Sequence, residues 1–238
     1  MSSKVLGPFA ALIFDQDGTL LDAESMHCAA WCKVASDLKV EFHEKIFAAF
    51  AGKGDISIAE HVADQTQGAI VTELVEQKRE YYREHLDEIP LIPGALSFLE
   101  KVKAAKLPMA IATISPAEET MRVVAKKGLA PFFSAIVHCE SEVPGRPGQV
   151  VRAKPEPDIY LAAAARLNVA PERCCAFEDS LTGLTAAKNA NMSAVVIPTC
   201  YSKHFDFSKA DALTTSFGQI KVDSKGMIAV DCDKPEIS

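Results

Sequence analysis

Short apolar runs recur along this chain, separated by longer stretches with helical spacing. The runs are Phe9 to Phe14, Pro108 to Ala112, Ser134 to Val137, Cys174 to Phe177 and Ser193 to Ile197. Each is apolar at successive positions, as expected of strands covered on both faces in a parallel sheet. Residues 93–106 and 116–127 each begin with proline, which suits a first helical turn. In 157–168, Ile159, Ala163 and Leu167 recur every four residues, and 180–191 follows the same logic. This alternation predicts an α/β fold built on a doubly wound, Rossmann-like parallel sheet.

One stretch breaks the alternation. Residues 23–90 are helical in pattern, rich in polar positions and without a convincing strand, with Gly52-Lys53-Gly54-Asp55 as an interrupting loop. The span is too long for an ordinary connection. It reads as a helical cap domain inserted after the first strand, leaving 1–22 and 91–238 as the core domain. The tail beyond Ser216 alternates weakly and suggests an edge strand. Residues 140–152 read as a solvated loop.

Composition changes this picture little. The 238 residues are 48% hydrophobic and 24% charged, with a formal net charge of −7, values ordinary for a globular protein. The acidic balance and the lack of a lysine- or arginine-rich run argue against a nucleic-acid partner. No run approaches the roughly 18–20 apolar residues that span a bilayer. A cytoplasmic protein without a membrane partner is therefore expected, as a monomer or weak homodimer. The seven cysteines are scattered and odd in number, a poor disulfide framework. Cys28 and Cys32 lack a second metal-binding pair and read as buried thiols, as do Cys174 and Cys175.

The candidate chemistry sits where the apolar runs end. Asp15 and Asp17 follow the first, Thr113 the second, and Glu178 with Asp179 the fourth. In open α/β sheets ligands bind beyond the carboxyl ends of the strands, so residues distant in sequence converge there. Asp15 and Asp17 point the same way if the chain stays extended, and Gly18 permits the turn that follows. Helix capping accounts for one of these carboxylates but not for a second acidic pair at another strand end. Gathered carboxylates repel unless a hard cation neutralises them, and Mg²⁺ favours oxygen ligands. Lys154, between Ala153 and Pro155, is a lone basic residue on a proline-stiffened approach to a helix.

Taken together, Asp15-Gln16-Asp17-Gly18-Thr19-Leu20-Leu21-Asp22, Ala110-Ile111-Ala112-Thr113, Lys154-Pro155-Glu156-Pro157-Asp158 and Phe177-Glu178-Asp179-Ser180-Leu181-Thr182-Gly183 resemble the ordered motifs of the haloacid dehalogenase superfamily. The insert position resembles its helical-cap branch, which includes β-phosphoglucomutases and small-metabolite phosphatases. The resemblance implies a Mg²⁺-dependent phosphatase acting on a small phosphorylated metabolite through an aspartyl-phosphate. Asp15 would be the nucleophile and Asp17 the acid and base. Thr113 and the Ile114 amide would hold phosphoryl oxygens, with Lys154 neutralising charge. Asp15, the Asp17 carbonyl, Asp179 and Glu178 would hold the metal. Gln16 stands where relatives usually carry an apolar residue, and its side chain is expected to face away.

The same resemblance leaves a second activity open. His27 and Lys78 lie where sugar-phosphate mutases of this branch place substrate-binding residues, although His27 also suits packing beside Trp31. Lys53 stands in the cap loop where a mutase grips a second phosphate with arginine, and lysine lacks that bidentate fork. Hydrolysis is favoured, with mutase the alternative and a catalytically inactive phosphometabolite-binding protein a third reading.

Overall fold

The computed structural model describes residues 2–50, 54–66 and 68–232. Strands β1 (Ser2–Leu6) and β2 (Ala11–Phe14) precede helices α1 (Ala23–Asp37), α2 (Glu44–Ala48), α3 (Gly54–Ala63) and α4 (Val71–Glu84). Then come α5 (Ala95–Ala104), β3 (Met109–Ala112), α6 (Ala117–Lys126), β4 (Ala135–Val137), α7 (Asp158–Arg166), β5 (Cys174–Glu178), α8 (Leu181–Asn189) and β6 (Ser193–Val196). Strands β7 (Ala212–Leu213), β8 (Ile220–Val222) and β9 (Ile228–Cys232) follow. Pro116 and Pro157 sit at the N-caps of α6 and α7, just outside the first turn. Ser180 caps α8, its hydroxyl accepting from the Gly183 N–H at 3.0 Å.

The fold is α/β, with a parallel sheet in the order β4-β3-β2-β5-β6-β7. The chain runs outward from β2 through β3 to β4, then returns to β5 on the other side of β2. The crevice between β2 and β5 is thus the topological switch point. Register places Phe14 beside Phe177 and Ile13 beside Ala176, so both strands end at the same level.

Alternate residues of these strands enter two different cores. Leu12, Phe14, Ile111, Cys175 and Phe177 face one side with α5, where Phe98 and Phe217 join an aromatic cluster. Ile13, Ala110, Ala112, Cys174 and Ala176 face the other with α7 and α8, whose alanines allow close approach. Helices on both faces make the sheet doubly wound.

The tail does not extend this sheet as an edge strand. β8 and β9 instead join β1 in a separate antiparallel sheet, in the order β1-β9-β8. Their apolar residues Ile220, Ile228 and Val230 enter the aromatic-side core. Residues 140–152 are likewise more than a solvated loop. Glu142 and Val150 form an antiparallel bridge, and Val151 is buried in the alanine-side core. The described cysteines are all free, with Cys28, Cys174 and Cys175 buried and Cys200 exposed.

The chain divides into two compact units, Met1–Leu21 with Leu91–Ser238, and Asp22–Pro90. Within the second, α4 packs on both α1 and α3 and buries Trp31, Ala59, Val62 and Leu74. No described helix is long and apolar enough to cross a membrane.

Phe98 meets Phe14, Phe177 and Phe217, with ring centroids 6.2, 5.3 and 5.3 Å away. Phe98→Ala should therefore destabilise the fold by about 3–5 kcal/mol. The expected readout is a lower urea midpoint with little change in slope.

Candidate active site

Backbone pairing delivers the acidic residues to one place. Asp15 directly follows β2, and its N–H donates to the Phe177 carbonyl at 3.0 Å. That bond sets Asp15 beside the end of β5, where Glu178 and Asp179 lie. One carboxylate oxygen from each of Asp15, Glu178 and Asp179 falls within 4.8 Å of the others. All three residues are buried.

Lys154 enters this cluster from the segment before α7. Its ammonium donates to Asp15 Oδ1 and, at 2.6 Å, to Glu178 Oε1, with the side chain only 5% exposed. Tyr160, on α7, donates its hydroxyl to the same Glu178 oxygen at 2.6 Å. The second Glu178 oxygen accepts from Ser180 Oγ at 3.0 Å and from the amides of Asp179 and Ser180 at 3.3 Å. Glu178 is thus held at both oxygens, with no exposure to solvent.

Burial sets the electrostatics. It pushes the Asp15 carboxyl up to about 8, Lys154 opposing and Glu178 and Asp17 adding to the rise. Burial also raises Asp17, against hydrogen bonds from Ser115 and Gln16. Desolvation alone would lower Lys154, but Asp15 and Glu178 outweigh it and hold the ammonium well above its ordinary value. The cluster carries more carboxyl groups than its one ammonium neutralises. Oxygen donors in that excess suit a hard divalent cation such as Mg²⁺.

The turn after Asp15 corrects one expectation. Leu20 and Leu21 both donate to the Gln16 carbonyl, at 2.8 and 2.9 Å, and Gly18 has φ +89°. The backbone has left the extended form, so strict alternation no longer applies. Gln16 does not face away from the chemistry: Nε2 donates to Asp17 Oδ1 at 3.4 Å. Ser115 Oγ donates to the other Asp17 oxygen. Thr113 is buried after β3, its hydroxyl accepting from the Ser115 N–H at 3.1 Å. Ile114, between them, is 49% exposed.

His27 and Lys78 lie in the helical unit and contact each other. Lys78 is 3% exposed and donates to Asp55 Oδ2 at 3.0 Å, with His27 Nδ1 at 2.8 Å. Asp55 also accepts from Trp31 Nε1 at 3.0 Å. His27 stacks on Tyr82, with ring centroids 4.3 Å apart. Burial, with the Lys78 ammonium beside it, pushes His27 down to about 3. Lys53 falls outside the described residues.

The family model for haloacid dehalogenase-like hydrolases matches residues 9–191. The chain belongs to that family. It is similar to the fructose-1-phosphate phosphatase YqaB of Escherichia coli K12, 31% identical over 79% of this chain and 95% of YqaB. The crystal structure of CbbY from Rhodobacter sphaeroides in complex with phosphate superposes with a TM-score of 0.70. It is 28% identical and covers 89% of this chain and 96% of that one. β-Phosphoglucomutase from Clostridium difficile matches at TM-score 0.67 and 26% identity, over 90% and 93% of the two chains. This chain is therefore a haloacid dehalogenase-like enzyme of the β-phosphoglucomutase-like branch.

Two glycines of this hydrolase are fixed by the acids they touch. A Cβ on Gly18 would meet the Asp179 carboxylate, and one on Gly183 would overlap the Glu178 carboxyl. Tyr160 and Ser115 were not singled out in the sequence. Tyr160 lies on an apolar helix face and looks like core; Ser115 sits among residues that only lead into α6. The proximity of Ser115 to Thr113 was the one available signal.

Gly183→Ala should displace the Glu178 carboxyl, destabilise the protein by about 1–3 kcal/mol and depress turnover. Thermal melting and steady-state rates check both effects. His27 has a folded pKa below its ordinary 6.5, so the unfolded chain takes up its proton first as pH falls. Its contribution should erode stability from about pH 6.5 downward. NMR of the imidazole should accordingly show no titration step between about pH 5 and 8.

Proposed function

We propose that this hydrolase is a magnesium-dependent phosphatase of small phosphorylated metabolites, sugar phosphates among them. The observation that carries this reading is the buried Asp15–Lys154–Glu178 cluster, with Asp179 within ligand distance. The phosphatase relative and the phosphate complex of CbbY support the substrate class.

Asp15 attacks phosphorus, forming an aspartyl-phosphate as the bond to the leaving oxygen breaks. Asp17 protonates that oxygen. It then takes a proton from the water that hydrolyses the intermediate. Thr113 and the Ile114 amide hold phosphoryl oxygens, while Lys154 offsets the charge on Asp15 and the transferring group. Asp15, Asp179 and the Asp17 carbonyl would hold Mg²⁺, with Glu178 as a ligand or outer partner. When bound, the ion supplies charge neutralisation to the phosphoryl group and its nucleophile.

The likeness to β-phosphoglucomutase supports a second reading, in which a sugar hydroxyl replaces water as acceptor. His27, Lys78 and Lys53 would then be substrate-binding residues.

Phosphate release should be screened over sugar phosphates, phosphoglycolate, glycerol phosphates and nucleotides. Turnover should vanish on chelation and return with Mg²⁺, and Asp15→Asn should lower kcat by about 10³-fold or more. Appreciable residual rate would remove Asp15 as nucleophile. Faster interconversion of hexose phosphates than phosphate release, with glucose 1,6-bisphosphate as primer, would favour the mutase.

A further inference from the structure

The Asp17 carboxyl is engaged at both oxygens, by Ser115 on Oδ2 and by Gln16 on Oδ1. Gln16 is only 2% exposed, and its Oε1 has no hydrogen-bond partner among the described residues. A buried amide with one unsatisfied atom is a poor choice for packing alone. An apolar side chain of similar length would fill the same space without losing its hydration. Among the described residues, the side-chain hydrogen bond of Gln16 is to Asp17.

We infer that Gln16 is a positioning residue that, together with Ser115, fixes the Asp17 carboxyl for proton delivery to the leaving oxygen. This rests on the reading of Asp17 as general acid. A carboxyl on a free side chain samples several rotamers, whereas proton transfer needs one of them in hydrogen-bond reach. Two donors from separate segments, one beside Asp17 and one after β3, define that orientation. Both groups are also reversible partners. A serine hydroxyl donates or accepts, and an amide turned over presents Oε1 instead of Nε2. Support for Asp17 therefore persists once its proton has gone.

The test compares leaving groups. In the first step the Asp15 oxygen bonds to phosphorus and the bond to the leaving oxygen breaks. Its electron pair stays on that oxygen, which takes the Asp17 proton. Benzyl phosphate expels a basic alkoxide and needs the proton; p-nitrophenyl phosphate expels a weak base and needs it far less. With Mg²⁺ present, kcat/KM for the two esters is measured on the wild type, Gln16→Met and Asp17→Asn. Gln16→Met keeps the side chain's length and removes the amide. It should lower the benzyl to p-nitrophenyl ratio by about three- to tenfold, and Asp17→Asn should lower it further. If Asp17→Asn lowers the ratio while Gln16→Met leaves it unchanged, Gln16 is not a positioning residue and the general acid stands. If Asp17→Asn leaves the ratio unchanged, the general-acid reading falls and takes this inference with it. A general loosening of the fold would slow both esters alike and leave the ratio where it was, which also counts against the inference. Should Gln16→Met not fold, Gln16→Leu is read in the same way.

Discussion

The ammonium of Lys154, buried between Asp15 and Glu178, is the interaction on which the rest of this site depends. Buried charges are tolerated only when paired and hydrogen-bonded, and removing one partner of such a pair costs about 3–5 kcal/mol. Here a single cation serves two carboxylates, and Tyr160 and the start of α8 complete the bonding of Glu178. The segment carrying Lys154 therefore has to end where β2 and β5 end. The parallel order of those two strands, with their ends level, satisfies that demand.

The two faces of the sheet divide the labour. On one, Phe14, Phe98, Phe177 and Phe217 fill space with large rings, giving the strands a rigid backing. On the other, the alanines of α7 share one buried cluster with Ala110 and Ala112 of β3, against which α7 packs. Close approach of α7 brings Tyr160 within reach of Glu178. Small side chains in that helix are thus part of what positions the acid cluster.

Much of this was legible in the sequence because it is local. Apolar runs ending in Asp15, Thr113 and Glu178 named both the strands and the sheet edge where chemistry gathers. The remaining features depend on contacts between distant segments. Ser115 meets Asp17 across 98 positions and Tyr160 meets Glu178 across 18, and no spacing rule encodes either. Gln16 departs from strand alternation because the chain there enters a turn governed by the positive φ of Gly18. In the tail, alternation identifies a strand without naming its partner, and β9 pairs with β1 from the other end of the chain.

That the larger unit is assembled from two separated segments, with the helical unit between them, has a kinetic consequence. The helical segment is continuous and can condense from local contacts, which form fast. Strand β2 cannot, because its neighbours β3 and β5 lie roughly a hundred or more residues further along the chain. During synthesis its apolar side chains and the aspartates behind them wait, solvated and without partners, for most of the chain to emerge. The acids are brought out of water only when β5 docks, by which time the lysine that makes their burial tolerable has already been made.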